Sequence, residues 1–238
     1  MRKVAGPFVV LMVIAGAVAL APGAERKEPA KVSFDRLLNE TQTSAEPTKG
    51  MNLVWFIPRE FWEVSLAAEP TLTDEGRKEV LDVMSEVFIV GMIRADIGPF
   101  GAFKFHREKP VREAMALVYV DAEGGERTLK PTDEVSEDVA GLLRTMRPML
   151  ASAMGQMGQH FHFFVFDDVD EAGKRIVSPL VDGELRVKMK RLGDEAGGTT
   201  SVRFPLDSLF VPRACANCEH EAHIRWHYCP MCGEKLPE

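Results

Sequence analysis

The chain has 238 residues, of which 45% are hydrophobic and 27% charged, a composition that supplies a full core and excludes a disordered chain. A formal net charge of -7 and a pI near 5.5 exclude a protein whose main task is gripping phosphate backbones, because that binding runs on excess Lys and Arg.

At the N-terminus Arg2 and Lys3 precede an apolar run from Val4 to Ala21, then Pro22, Gly23 and Ala24, then the charged Glu25-Arg26-Lys27-Glu28. This is the order of a secretory signal, with cleavage after Gly23 or Ala24. The run is also close to the roughly 20 residues that span a bilayer, so an uncleaved anchor over residues 4-21 stands beside a cleaved signal over residues 1-24. Both readings export everything after residue 25, to the periplasm or beyond. No second stretch of the sequence is apolar and long enough to cross a membrane, which argues against a multi-span protein.

Residues 25-50 are mostly charged or polar, with Pro29 and Pro47, and read as a linker with one short helical turn near Phe34, Leu37 and Leu38. A compact domain is expected over residues 51-210. Its first element is the apolar run Met51 to Ile57, a strand buried on both faces and stopped by Pro58. Pro58 suits the first turn of a short helix carrying Phe61, Trp62 and Leu66. Thr73, followed by Asp74 and Glu75, has the form of a helix start, and Val80, Met84, Val87 and Phe88 recur at helical spacing. The stretch Phe88 to Ile93 fits the start of a strand equally well.

Gly98-Pro99-Phe100-Gly101 reads as a turn; it lacks the spacing and the lysine of a phosphate loop. Ala116 to Val120 is a short strand that turns through Asp121-Ala122-Glu123-Gly124-Gly125 into Arg127-Thr128-Leu129. Ser136 with Glu137 and Asp138 opens the longest helix, whose inward stripe runs Val139, Leu142, Leu143, Met146, Leu150, Ala153, Met154 and Met157, with Pro148 in its middle. His160 to Phe166 is dense in phenylalanine and is expected as a central strand. Glu184 to Lys190 alternates like a half-exposed strand, and Ser201 to Phe204 is expected as an edge strand ended by Pro205. The sum is an α+β domain with a mixed or mostly antiparallel sheet and two or three helices.

All four cysteines fall near the C-terminus, as Cys215-Ala216-Asn217-Cys218 and Cys229-Pro230-Met231-Cys232-Gly233. Two Cys-x-x-Cys pairs present four thiolates able to close tetrahedrally on a zinc ion, each pair forming a tight knuckle. The stretch Trp226 to Leu236 is similar to the second half of short bacterial zinc ribbons, in which an aromatic residue precedes a Cys-Pro-x-Cys-Gly knuckle. The resemblance covers about residues 211-236 of the segment 211-238 and says nothing of the domain before it. Glu219 follows the first knuckle where the family often has glycine, and the loop Glu219 to Tyr228 is short for a ribbon. With Cys215, Cys218, Cys229 and Cys232 filling every position, a bound zinc is structural and not catalytic. Disulfides compete with this reading, because an exported chain meets an oxidising compartment. His220, His223 and His227 lie nearby, able to replace a cysteine or to support the ligands, and read first as solvent-exposed loop residues.

Two other clusters carry weaker chemistry. Met146, Met149, Met154 and Met157 with His160 and His162 are soft ligands of the kind that select copper(I), although methionines on a helix stripe are ordinary core fillers. Asp167, Asp168, Asp170 and Glu171 follow no EF-hand order and read as an acidic turn. No nucleophile elbow or zinc-protease helix occurs. The expectation is therefore an exported zinc-binding protein with a protein or envelope partner, acting as a binding or structural module and not on nucleic acid. An enzyme with its site in the α+β domain and an envelope copper-handling protein using the Met/His cluster are the alternatives.

Overall fold

The computed structural model describes residues 24-45 and 50-236, so the apolar segment expected as signal or anchor lies outside the described part. Among the described residues no helix is long and apolar enough to cross a membrane. The architecture is α+β with antiparallel sheets throughout.

A short helix α1 (Phe34–Thr41) leads through β1 (Gln42–Thr43) and β2 (Gly50–Ile57) to α2 (Arg59–Ala67) and α3 (Asp74–Val83). Next come β3 (Val87–Ile97), a turn at Pro99–Gly101, β4 (Phe103–Phe105), the short α4 (Glu108–Glu113) and the hairpin β5 (Met115–Asp121) and β6 (Glu126–Leu129). The long helix α5 (Glu137–Met154) and the single turn α6 (Gln156–Gln159) precede β7 (His162–Asp167), β8 (Gly183–Met189) and β9 (Gly198–Phe204). The C-terminal segment holds the two-residue strands β10 (Arg213–Ala214) and β11 (Glu221–Ala222).

Two larger sheets result. The first has the order β1-β2-β3-β4, with β7 also on β3; the second has the order β6-β5-β8-β9. β3 is the spine of the first sheet, its residues Ile89 to Asp96 pairing with the whole of β2 on one side, and β7 and β4 pairing with it in turn on the other. It is buried from Phe88 to Asp96, which suits its run of β-branched and aromatic residues. Its Gly91 is required: a Cβ there would stand 2.2 Å from the Phe161 ring.

One core joins the sheets. Phe56 of β2 lies between Phe88, with ring centroids 5.6 Å apart, and Phe204 of β9, 5.4 Å away, while Phe88 stacks on Phe166. Aromatic pairs at these separations add to the burial of their area. On β8 the expected alternation holds, with Leu185, Val187 and Met189 buried. The helix starts also follow the sequence: the Thr73 hydroxyl accepts from the Gly76 N–H and the Ser136 hydroxyl from that of Val139.

Four expectations need correction. Among the described residues the α-helices number six, because short turns such as α4 and α6 carry too little periodicity to be read. Residues 25-50 are not purely a linker: α1 occupies eight of them and buries Leu37 completely in the core. At Phe88, where the spacing left helix and strand open, the structure takes the strand: α3 stops at Val83 and β3 begins at Val87. The phenylalanine strand β7 is not central but lies at the sheet edge, paired among the described residues with β3 alone, and the stripe of α5 ends at Met154 because Gly155 takes a positive φ. β7 looks central in sequence because both its faces are covered, although among the described residues no strand pairs with its outer edge. On that outer edge the Val165 carbonyl accepts the Thr132 N–H at 2.8 Å.

Two buried charge clusters sit beside the core. The loop between β8 and β9 folds over the first sheet, where Glu195 pairs with Arg94 and accepts the Gly197 N–H, and where the Asp96 carboxylate accepts the N–H groups of Asp194 and Glu195 and faces His106 Nε2 at 3.2 Å. At the other end Arg175 clamps Glu60 with both terminal nitrogens and Asp168 with Nε.

Candidate metal centre

The four cysteines are brought together by two knuckles of matching backbone form. In the first, Glu219 N–H donates to the Cys215 carbonyl at 2.8 Å and Cys215 N–H to that of His220 at 3.0 Å. In the second, Gly233 N–H donates to the Cys229 carbonyl at 2.9 Å and Cys229 N–H to that of Glu234 at 2.8 Å. The residue after each second cysteine lies in the left-handed region, Glu219 at φ 57° and Gly233 at φ 75°. Only glycine takes that conformation without cost, so the first knuckle carries strain that the second avoids. The short ladder of β10 and β11 closes the first knuckle, and Arg213 Nη2 ties the loop by donating to the carbonyls of Ile224 and Trp226, each at 2.6 Å.

All four sulfurs lie within 4.8 Å of one another, with Cys215 Sγ 3.6 Å from Cys232 Sγ and Cys218 Sγ 3.5 Å from Cys229 Sγ. The cysteines are free thiols, and these separations are far beyond the ~2.05 Å of a disulfide. A tetrahedron with metal–sulfur arms of ~2.3 Å has edges of roughly 3.8 Å, close to the two contacts observed. Cys215 and Cys229 are buried with Ala222 and Leu236 in a small cluster of their own, whereas Cys218 and Cys232 face outward.

The electrostatics of the group favour a cation. The backbone N–H of Glu234, the Asn217 side chain and the neighbouring Cys218 and Cys215 hold the Cys232 thiol down to about 6. At Cys218 the backbone N–H of His220 favours the thiolate, but the thiols of Cys232, Cys229 and Cys215 together with burial outweigh it and push the pKa up to about 12. Adjacent sulfurs therefore resist ionising together, and a dication at their centre would remove that repulsion. The cluster is a group that could hold a metal ion, and its two knuckles are consistent with a ribbon-like segment.

The other candidates are dispersed into structural contacts. Met149 is exposed, while Met146, Met154 and Met157 pack against the core. The His160 ring stacks on Phe105 with centroids 4.4 Å apart, and His162 Nε2 donates to the His106 carbonyl at 2.8 Å. Asp168 is taken by Arg175 and by the Val177 N–H, and Asp170 accepts the N–H groups of Ala172 and Lys174, as an acidic turn does.

A second group that could hold a metal was missed in the sequence. Glu40, Asp207 and His223 converge from three parts of the chain, with ligand atoms within 4.8 Å of one another. No spacing signal exists for such a set, because its members are scattered over more than 180 residues. Comparison with protein-family models, with curated proteins and with solved structures finds no match to this chain.

Proposed function

We propose that the chain is an exported protein that binds one structural zinc ion through Cys215, Cys218, Cys229 and Cys232, its α+β domain serving as a binding or structural module toward a protein or envelope partner. The observation that carries the metal reading is the packing of four free sulfurs at separations close to the edges of a zinc–thiolate tetrahedron. Soft thiolate donors suit zinc, and four of them leave no position for a reacting water, so the ion's role is to hold the segment together. Export rests on the N-terminal order of Arg2 and Lys3, an apolar run and small residues.

The first test is metal content by mass spectrometry on purified protein, read with a free-thiol count. One zinc per chain with no disulfide is expected; two disulfides and no zinc would overturn the metal reading. Cell fractionation with N-terminal sequencing tests export, and a soluble cytoplasmic chain that keeps residues 1-24 would refute it. For the partner, cross-linking of the exported form in intact cells is expected to join it to an envelope component, and recovery of the uncoupled chain alone would count against a binding role.

A further inference from the structure

We propose that Glu40, Asp207 and His223 form a second divalent-metal site, separate from the cysteines, at the joint between the α+β domain and the C-terminal segment. Glu40 lies in the last turn of α1, Asp207 opens the turn Asp207–Leu209 that follows β9, and His223 comes directly after β11, in the loop that separates the two cysteine pairs. Two carboxylates and an imidazole are a donor set for a first-row divalent ion such as zinc or manganese.

The geometry is close to closure. His223 Nδ1 stands 3.5 Å from Asp207 Oδ1, and the three ligand atoms lie within 4.8 Å of one another. Metal–ligand arms of ~2.1 Å put neighbouring donors roughly 3.0 to 3.4 Å apart, so the His–Asp pair already has the required separation and Glu40 must draw in by a small side-chain movement.

Both carboxylates are oriented from behind. Glu40 accepts from Ser208 through its N–H and, at 2.6 Å, through its hydroxyl; Asp207 accepts the Ile224 N–H at 2.8 Å and Arg36 Nη2 at 2.9 Å. Hydrogen bonds of this kind commonly fix metal-ligating carboxylates, and each oxygen keeps lone-pair capacity beyond the bond it makes. His223 is engaged weakly, by the Arg225 N–H at 3.3 Å on Nδ1 and by Arg225 Nη2 at 3.4 Å from Nε2. Arg36 offsets one of the two carboxylate charges, so one net negative charge is left to face a dication.

Among the described residues the site has three protein donors, so a bound ion would keep open positions. They face a cavity of about 250 Å³ lined by Gln42, Thr43, Ser201 and Arg203 as well as by the three ligands. That differs in kind from the closed set of four sulfurs. Because His223 belongs to the C-terminal segment and Glu40 to the main domain, the ion would fasten one to the other beside Ile224, which is buried in the main core.

The test is zinc stoichiometry by native mass spectrometry after equilibration with excess zinc, on the wild-type chain and on Glu40→Gln and His223→Ala. Two ions per chain are expected in the wild type and one in each variant, with all four thiols still protected from a thiol reagent. Glu40→Gln lies outside the cysteine segment, so it decides the matter if His223→Ala disturbs the knuckles. A wild-type chain that takes one ion at every zinc concentration, or a variant that still takes two, would overturn the second site. The thiol protection reports the cysteine centre separately, so failure of one site is not mistaken for failure of the other.

Discussion

Arg94 of β3 and Glu195 of the β8–β9 loop, 101 residues apart in the chain, form an ion pair in which neither side chain reaches solvent. Arg94 Nη2 also donates to the Lys190 carbonyl at 2.7 Å, but its Nε and Nη1 have no partner among the described residues. The Glu195 carboxylate is therefore the main compensation for a guanidinium taken out of water. Glu195→Gln is expected to cost about 3 to 5 kcal/mol, since it strands that charge. Arg94→Met combined with Glu195→Gln is expected to recover much of the loss. Urea unfolding of the single and double variants checks this, and strictly additive losses would show that the two residues do not act as a pair.

If the four cysteines hold the proposed zinc, its removal should unfold the C-terminal segment and leave the main sheets standing. The cluster of Cys215, Ala222, Cys229 and Leu236 is too small to hold residues 213-236 without an ion, whereas the core around Phe56, Phe88 and Phe204 does not contain the cysteines. Hydrogen exchange before and after chelation is expected to lose protection in that segment alone. Loss of protection across β2, β3 and β8 as well would contradict it.

Glu219 occupies a left-handed position that Gly233 fills in the second knuckle. Glu219→Gly should relieve about 1 kcal/mol of strain, which corresponds to roughly fivefold tighter zinc retention in competition with a chelator. Gly233→Ala should weaken retention by a similar factor. Unchanged retention in both variants would mean that knuckle strain does not reach the ion.

Burial holds the His162 imidazole below its usual pKa of 6.5, against the opposing pull of the His106 carbonyl and Glu108. On acidification the unfolded chain therefore takes this proton before the folded chain does. The contribution of His162 is fully present above about pH 6.5 and is lost as the pH falls through the lower, folded-state pKa. Unfolding midpoints measured between about pH 7.5 and pH 5 should fall in the wild type and fall less in His162→Gln. Equal slopes would remove His162 as the cause.

What the sequence determined by itself was local. The caps at Thr73 and Ser136, the alternation of Leu185, Val187 and Met189, and the two Cys-x-x-Cys pairs depend on neighbours a few residues apart, so their spacing predicts their structure. The tertiary structure decided what depends on distant partners. It made Phe88 a strand residue by pairing it with Phe166, drew Leu37 of the expected linker into the core, and left β7 at an edge. It also joined Arg94 to Glu195 and gathered Glu40, Asp207 and His223. Periodicity records which face of an element is apolar, but not which element will cover it; that choice follows from how the two sheets bury their common core.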